Sequence, residues 1–524
     1  MDGTPLCVKR LMLYAIIFPT MLLSGCSGLP RADHNPADTL TFHDPEETLL
    51  GKALTGILAE NDGLSGFYTL NSGNSALRAR LGLIDLAEHS IDIQTYELHE
   101  HRSTELLVGR LFQAADRGVQ VRLSVDDWGY SGDDRYLAGL VKHPNIDIRL
   151  FNPHPQRQFR FLDWFADLDL VQRRMHNKTF TVDNAVTIVG GRNLGDAYLG
   201  VNRERYFIDM DVISVGPVTL EVTQSFEQYW NHRLSLPVET LANPPRGFTL
   251  DQYRDEMAQN LVALTLSYEE NEGFIEGDVL DAIMSGNDPF TWAQARLFAD
   301  NPDKLLSPTD DHPSQMLAEL IDFIGTPEQS AFLISPYFVP GESGMDLLQQ
   351  WRDADVTIQV LTNSLSANNM PVVHAGYSAY RERLMSLGAE IWEVRPQVAN
   401  GALDDNMYYD DSDTITLHEK AIIIDDAYVV LGSMNLDPRS YRLNTEIGMV
   451  IKSPELAREV RDWAEYLQPD VAWQLAQRDG ELIWKDHSNG SYEIAAEGTD
   501  PKVGLWRRLR VNFYSIIPGL EGFL

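Results

Sequence analysis

Hydrophobic positions along this chain change period in a regular order, and the order occurs twice. Residues 90–96 alternate apolar with polar side chains, the period of a strand with one face in a core. Residues 103–117 set Leu106, Leu107, Leu111, Ala114 and Ala115 at helical spacing, and Gly118 closes that stretch. Alternation returns over 119–125, which runs into Asp126-Asp127, and 146–151 reads as another strand. A second series follows: strand 331–337, helix 344–352, strand 356–361 ending at Thr362-Asn363, a helix around 377–387 and a strand at 391–394. Strands alternating with helices predict an α/β fold. A repeat of about 240 residues is too long for a solenoid unit and predicts a duplicated domain.

The ends of the chain break the pattern. Lys9-Arg10 precede a mostly apolar stretch, 11–23, too short to span a membrane but suited to a signal peptide. It ends in Leu23-Ser24-Gly25-Cys26, which resembles the lipobox of bacterial lipoproteins, with Cys26 as the lipidated residue. Residues 1–25 are therefore expected to be a lipoprotein signal peptide and 26–48, with Pro30, Pro36 and Pro45, a tether. The first half is expected over 49–235, an insert or linker over 236–310, the second half over 311–480, and a membrane-proximal tail over 481–524. In that tail Leu505-Trp506-Arg507-Arg508-Leu509-Arg510 runs into Phe513-Tyr514 and Ile516-Ile517, a mixture that suits a lipid interface or a packing helix with exposed arginines.

Composition narrows the partners. The chain of 524 residues carries a net charge of −35, which repels a nucleic-acid backbone, so nucleic acid is not an expected partner. Cys7 and Cys26 are its only cysteines, so a processed chain would have no thiol for a disulfide, a nucleophile or a zinc site. Ser27 after Cys26 favours an outer-membrane, periplasm-facing address in a bacterial envelope over an inner-membrane one.

The chemistry sits in one short pattern, written twice. His176-Asn177-Lys178 is followed by Asp183 and then by Gly190-Gly191-Arg192-Asn193. His418-Glu419-Lys420 is followed by Asp425 and then by Gly432-Ser433-Met434-Asn435, every member 242 residues after its counterpart. A neutral imidazole can attack phosphorus to give a covalent phosphohistidine, and a protonated one can hand its proton to the leaving oxygen. Two lysines and two amides can hold the phosphoryl oxygens in the transition state. The candidate catalytic set is thus His176, Lys178, Asp183, His418, Lys420 and Asp425, with Asn193, Asn435, Gly191 and Ser433 as substrate contacts. Asp183 and Asp425 lie beyond an apolar strand and suit a structural place at its end. Each histidine also needs a carboxylate to fix its tautomer. Aligning Gly216-Pro217 with Ser453-Pro454 pairs Asp209 with Glu446, each expected to serve the histidine of the other half. No metal and no cofactor is called for.

On these residues the chain resembles the phospholipase D superfamily, and within it the bacterial cardiolipin synthase C type. The likeness covers roughly residues 50–480 and includes 174–178, 189–198, 361–365, 372–377, 435–440 and 444–446. It implies two tandem phospholipase D-like α/β/α halves about a pseudo-twofold axis, with one active site between them. It also implies metal-independent phosphatidyl transfer, with His176 as nucleophile and His418 as general acid and base; the residues themselves do not rank the two. The expected product is cardiolipin, made from phosphatidylglycerol and a second phospholipid such as phosphatidylethanolamine, at a membrane reached through Cys26 and the tail. The alternatives are a hydrolytic phospholipase D, a nuclease and a non-catalytic envelope scaffold. The loop after Tyr96-Glu97-Leu98, which holds His99-Glu100-His101, departs from the expected pattern.

Overall fold

The computed structural model describes residues 44–155, 157, 171–201, 205–272, 279–306, 315–399, 402–404, 407–408 and 414–517. The expected signal peptide, Cys26 and most of the expected tether lie outside the described residues. Among those described, eighteen strands form one continuous hydrogen-bonded ladder. In the first half Ser90–Thr95, Gln120–Asp126 and Ile146–Phe151 are parallel neighbours, and Thr179–Val182, Val186–Gly190 and Asp211–Val215 continue the sheet antiparallel. The second half repeats the order with Ser330–Ile334, Thr357–Asn363 and Glu390–Val394, then Ala421–Ile424, Tyr428–Gly432 and Ile447–Lys452. Helices Gly73–Leu86 and Arg102–Asp116 cover the first sheet, and Gly341–Asp353 and Pro454–Val471 the second.

Two regions correct the expected boundaries. The supposed insert supplies the strand Thr291–Ala299. It pairs through Thr291, Trp292 and Ala293 with Ser65–Leu70 of the first half and from Gln294 onward with Ile447–Lys452 of the second. Leu70 opposite Asp211 and Phe298 opposite Gly448 hold matching places, so this strand is the second half's counterpart of Ser65–Leu70. The helices Leu250–Glu272 and Val279–Met284 lie against the first half. Leu261 packs on Gly109 and Leu280 on Gly82, so both clad the first half. The expected tail is also partly sheet: Glu481–Asp486 and Glu493–Glu497 extend the second half's edge before the helix Leu505–Ser515.

The halves share a core. Phe67, Val189, Val212 and Val222 of the first pack in one cluster with Phe332, Ile423, Met449 and Leu456 of the second. Burial of such side chains stabilises by roughly 1.5–3 kcal/mol each, so the seam is continuous interior.

Asp183 and Asp425, expected in the catalytic set, stand at the turns that close their strands. Each starts the tight turn between two antiparallel strands with a left-handed backbone (φ 51° and 54°), followed by Asn184 and Asp426 in the same region. Asx residues tolerate that conformation best among non-glycines. The Asp183 carboxylate accepts backbone N–H bonds from Glu88, His89 and Ser90 at 3.0, 2.8 and 2.8 Å. Asp425 does the same for Glu328, Gln329 and Ser330 at 2.9, 2.7 and 2.9 Å. Both sit at the end of their strand away from the histidine. An Asp183→Ala substitution should therefore destabilise the fold by roughly 2–4 kcal/mol, from lost charge-assisted bonds and an alanine in the left-handed region. Thermal unfolding checks this, and an unchanged midpoint would show the turn does not depend on the carboxylate.

Candidate active site

Each histidine is placed by the opposite half. Strand Arg205–Ile208 pairs in parallel with Thr414–Leu417, and beyond it His418 and Glu419 both donate their N–H to the Ile208 carbonyl. Across the seam Met175 bridges Thr445 in parallel, and His176 N–H bonds the Thr445 carbonyl at 2.9 Å. The residue after Ile208 is Asp209 and the residue after Thr445 is Glu446, so the backbone pairing sets a carboxylate beside each imidazole. His418 Nδ1 lies 2.6 Å from Asp209 Oδ2, and His176 Nδ1 lies 2.8 Å from Glu446 Oε2. Each ring thus holds its Nδ1 toward a carboxylate, which leaves Nε2 as the ring nitrogen available for chemistry; Lys420 Nζ also stands 3.0 Å from His418 Nδ1.

The rings are buried but reachable, with 9 % of the His176 and 6 % of the His418 side chain exposed. Tyr96 meets the edge of His176 and Tyr198 that of His418, both at 5.0 Å between centroids. Burial lowers the proton affinity of both histidines; Glu446 partly restores it at His176, while Lys420 and Lys178 depress His418 further. The two rings also act on one another, as the charge of His176 does on His418. Burial pushes the Glu446 carboxyl up, but His176, Lys178 and the Ser433 hydroxyl outweigh it and hold the group below its ordinary value. Burial likewise raises Asp209, against the opposing charges of Lys420 and Arg192.

The motif lysines share the cavity. Lys178 Nζ bonds the His176 carbonyl and Lys420 Nζ the His418 carbonyl. Burial lowers Lys178 to about 7, with the charge of Lys420 adding to the effect, and lowers Lys420 to about 8. An entering phosphate diester would restore both charges.

The four expected substrate contacts divide. Gly191 and Ser433 lie against the carboxylates. A Cβ on Gly191 would lie 2.4 Å from Asp209 Oδ1, so only glycine fits beneath that group. Ser433 Oγ donates to Glu446 Oε2 at the matching place. Asn193 binds Glu97 through both ends of its amide, Nδ2 to Oε2 at 3.1 Å and Oδ1 from the Glu97 N–H at 3.3 Å. Asn435 Oδ1 is buried with no partner among the described residues. Tyr96, Glu97, Tyr198 and Tyr337 complete the surroundings. The motif pattern does not point to them, although Tyr96-Glu97 follows the carboxyl end of a parallel strand, where α/β sheets bind ligands. His99 and His101 stack on one another at 5.2 Å, and among the described residues no cluster of three or more metal-ligating side chains occurs.

A family model described as "Cardiolipin synthase, PLD-like domain" matches residues 81–230 and again 320–468, more than half of the chain. The chain belongs to that family. Among curated proteins, cardiolipin synthase C of Escherichia coli K12 is 37 % identical over 90 % of this chain and 98 % of its own length. A cardiolipin synthase A of Pseudomonas entomophila is 24 % identical over 76 % of this chain and 67 % of its own. The crystal structure of phosphatidylserine synthase from Haemophilus influenzae shares the fold, with a TM-score of 0.51 and 13 % identity over 79 % of this chain and 89 % of that one. This family member is a phospholipid transferase of phospholipase D type, built from two phospholipase D-like halves.

The lowered lysines give the site a pH signature. In the free protein they lose their protons as pH rises past about 7 and 8, against an ordinary 10.5. An anion then binds above pH 8 only by taking up protons. Titration calorimetry with inorganic phosphate at pH 8.5, in two buffers of different ionisation enthalpy, should show net proton uptake, and kcat/KM should fall as pH rises from 7 to 9. Equal heats in both buffers would mean that the lysines keep their charge.

Proposed function

We propose that this enzyme moves a phosphatidyl group onto His176 and from there to the headgroup hydroxyl of phosphatidylglycerol, making cardiolipin. The observation that carries this reading is the reciprocal pairing of His176 with Glu446 and His418 with Asp209 around one cleft. In the first step His176 Nε2 bonds to phosphorus and the bond to the leaving headgroup oxygen breaks; His418, charged against the Asp209 carboxylate once the bound phosphate offsets the two lysines that depress it, gives that oxygen its proton. In the second, His418 takes the proton of the acceptor hydroxyl, its oxygen bonds to phosphorus and the P–N bond breaks. Lys178 and Lys420 balance the phosphoryl charge throughout. With phosphatidylethanolamine as donor the first product is ethanolamine; with phosphatidylglycerol it is glycerol. Mixed-lipid incubation should yield cardiolipin, and protein denatured rapidly in detergent at neutral pH, where the P–N bond survives, should carry the phosphatidyl adduct on His176. Phosphatidic acid alone would make it a hydrolase, and an adduct on His418 would reverse the roles.

The same reading puts the enzyme on a bacterial envelope membrane, periplasm-facing, held by lipid on Cys26 and by its last helix. Leu505–Ser515 buries Val511 against Leu365 and Ala375. It exposes Leu505, Trp506, Leu509 and Phe513, Trp506 to 83 %, and Ile516 just beyond it is exposed too. The helix carries Arg507, Arg508 and Arg510 and no acidic residue, in a chain of net charge −35. Arg507 bonds the Asn368 carbonyl, and in the same loop the Ala367 carbonyl accepts from Thr416, two residues before His418. The helix is therefore tied to the loop beside the strand that leads into His418, and its exposed apolar residues and its arginines suit an anionic interface. In vesicle flotation Trp506→Asp should weaken binding to phosphatidylglycerol vesicles by about tenfold, and Cys26→Ser should release the remainder in cells. Unchanged flotation of both variants would refute this attachment.

A further inference from the structure

The two halves are not equivalent where the first strand of each parallel set ends. Leu98 bridges Leu194, and Phe338 bridges Leu436 at the matching place of the repeat. Thr95 Oγ1 bonds the Glu97 carbonyl at 3.0 Å, and Ser335 Oγ bonds the Tyr337 carbonyl at 2.9 Å. Glu97 and Tyr337 are thus counterparts, a carboxylate on one side of the cleft and a phenol on the other.

Glu97 is held firmly by one of its two oxygens. Tyr198 OH donates to Oε2 at 2.8 Å, Asn193 Nδ2 at 3.1 Å, and His99 Nε2 stands 3.2 Å away. His99 is braced in turn by Ser131 at 3.1 Å. Oε1 has no partner among the described residues and is not sealed from solvent; 26 % of the side chain is exposed. Burial alone would push this carboxyl up, yet His99, Tyr198 and His418 hold it down at about 2, so it is ionised. Its charge acts on Lys178 of its own half and on His418 and Lys420 of the other, which puts it at the shared cleft.

We propose that Glu97 Oε1 is the headgroup-recognising group of the site: it accepts a hydrogen bond from a hydroxyl or ammonium carried two or three atoms beyond the reacting oxygen. This rests on the phosphatidyl-transfer reading and extends it to specificity. A fixed anion repels the phosphoryl oxygens, so it marks ground where phosphate does not sit and a donor group does. Tyr198 spans the two functions, with its hydroxyl on Glu97 and its ring against His418. That places the headgroup beside the imidazole that protonates its oxygen. In a two-step transfer the leaving and the entering headgroup pass through the same place, so one carboxylate serves an ethanolamine that departs and a glycerol that arrives. The His-rich loop then has a role as well, since His99 buttresses Glu97.

The test compares three diester donors on the full-length protein: phosphatidylethanolamine, phosphatidylglycerol and phosphatidylmethanol, the last with no donor on its headgroup. In the wild type kcat/KM should favour the first two. In Glu97→Gln the preference over phosphatidylmethanol should fall about tenfold to a hundredfold, the loss expected of a charged hydrogen bond, and Glu97→Asp should keep part of it. If only phosphatidylethanolamine loses its advantage, the carboxylate reads ammonium; if both lose it, it reads either donor. An unchanged preference in Glu97→Gln overturns the proposal. So does a wild-type series from ethanolamine to its N-methyl, N,N-dimethyl and choline analogues without a sharp drop at the loss of the last N–H, a measurement that needs no variant to fold. Absence of turnover on all three lipids in the wild type would instead refute the transfer reading itself.

Discussion

Everything at the catalytic centre follows from a few backbone hydrogen bonds across the seam. The N–H of His418 meets the carbonyl of Ile208 and that of His176 meets the carbonyl of Thr445. Because the next residues are Asp209 and Glu446, main-chain register alone delivers a carboxylate to each imidazole. Neither half could hold its own histidine in one tautomer, since the partner group belongs to the other. The seam must then be as rigid as a core, and the shared cluster of Phe67, Val212, Ile423 and Met449 makes it one. The strand Thr291–Ala299, paired with both halves, ties the sheets into a single ladder.

Such a centre concentrates buried charge, which is costly unless each group is paired. The structure meets that cost by redundancy. Ser433 donates to Glu446, Gly191 lets Asp209 lie close to the backbone, and each lysine leans on its own histidine's carbonyl. The lysines are consequently weak bases waiting for an anion, and the phosphodiester completes the charge balance of the cavity instead of disturbing it. Glu419, the counterpart of Asn177, has no such partner among the described residues. Burial and the nearby Asp209 push it up to about 8, so it stays protonated at neutral pH. The duplication has thus kept the paired geometry of the two motifs while letting their surroundings diverge.

The fold class, the repeat and the order of strands were legible because alternation and helical spacing survive in both halves, and the constant offset between the motifs made the histidines and lysines visible. Asp209 and Glu446 were legible only through the Gly216-Pro217 and Ser453-Pro454 match, which fixed the register of a strand otherwise without signature. The strand Thr291–Ala299 was hidden: it alternates, but it shares no residues with Ser65–Leu70, and only pairing reveals the equivalence. The strands Glu481–Asp486 and Glu493–Glu497 were obscured by the basic, aromatic segment after them, which coloured the whole tail as peripheral. Glu97 has no signature that assigns it a role, because an acidic residue after a strand reads as surface until Asn193 and Tyr198, about a hundred residues away, are brought onto it.

The distribution of charge gives the cleft a direction. A body of net charge −35 is repelled from an anionic bilayer at long range. Arg507 lies close enough to Arg205 and Arg510 for their charges to oppose its own, so positive charge gathers on the side where Arg205 leads toward Ile208 and His418. Within a Debye length, about 8 Å at physiological salt, those arginines would be attracted to such a bilayer, and the exposed Trp506 and Phe513 lie on the same helix. On the proposed attachment, repulsion of the acidic body would work with attraction of these arginines to select the bound orientation. Under the proposed membrane attachment, the acidity that argues against nucleic acid would help to orient the site toward lipid.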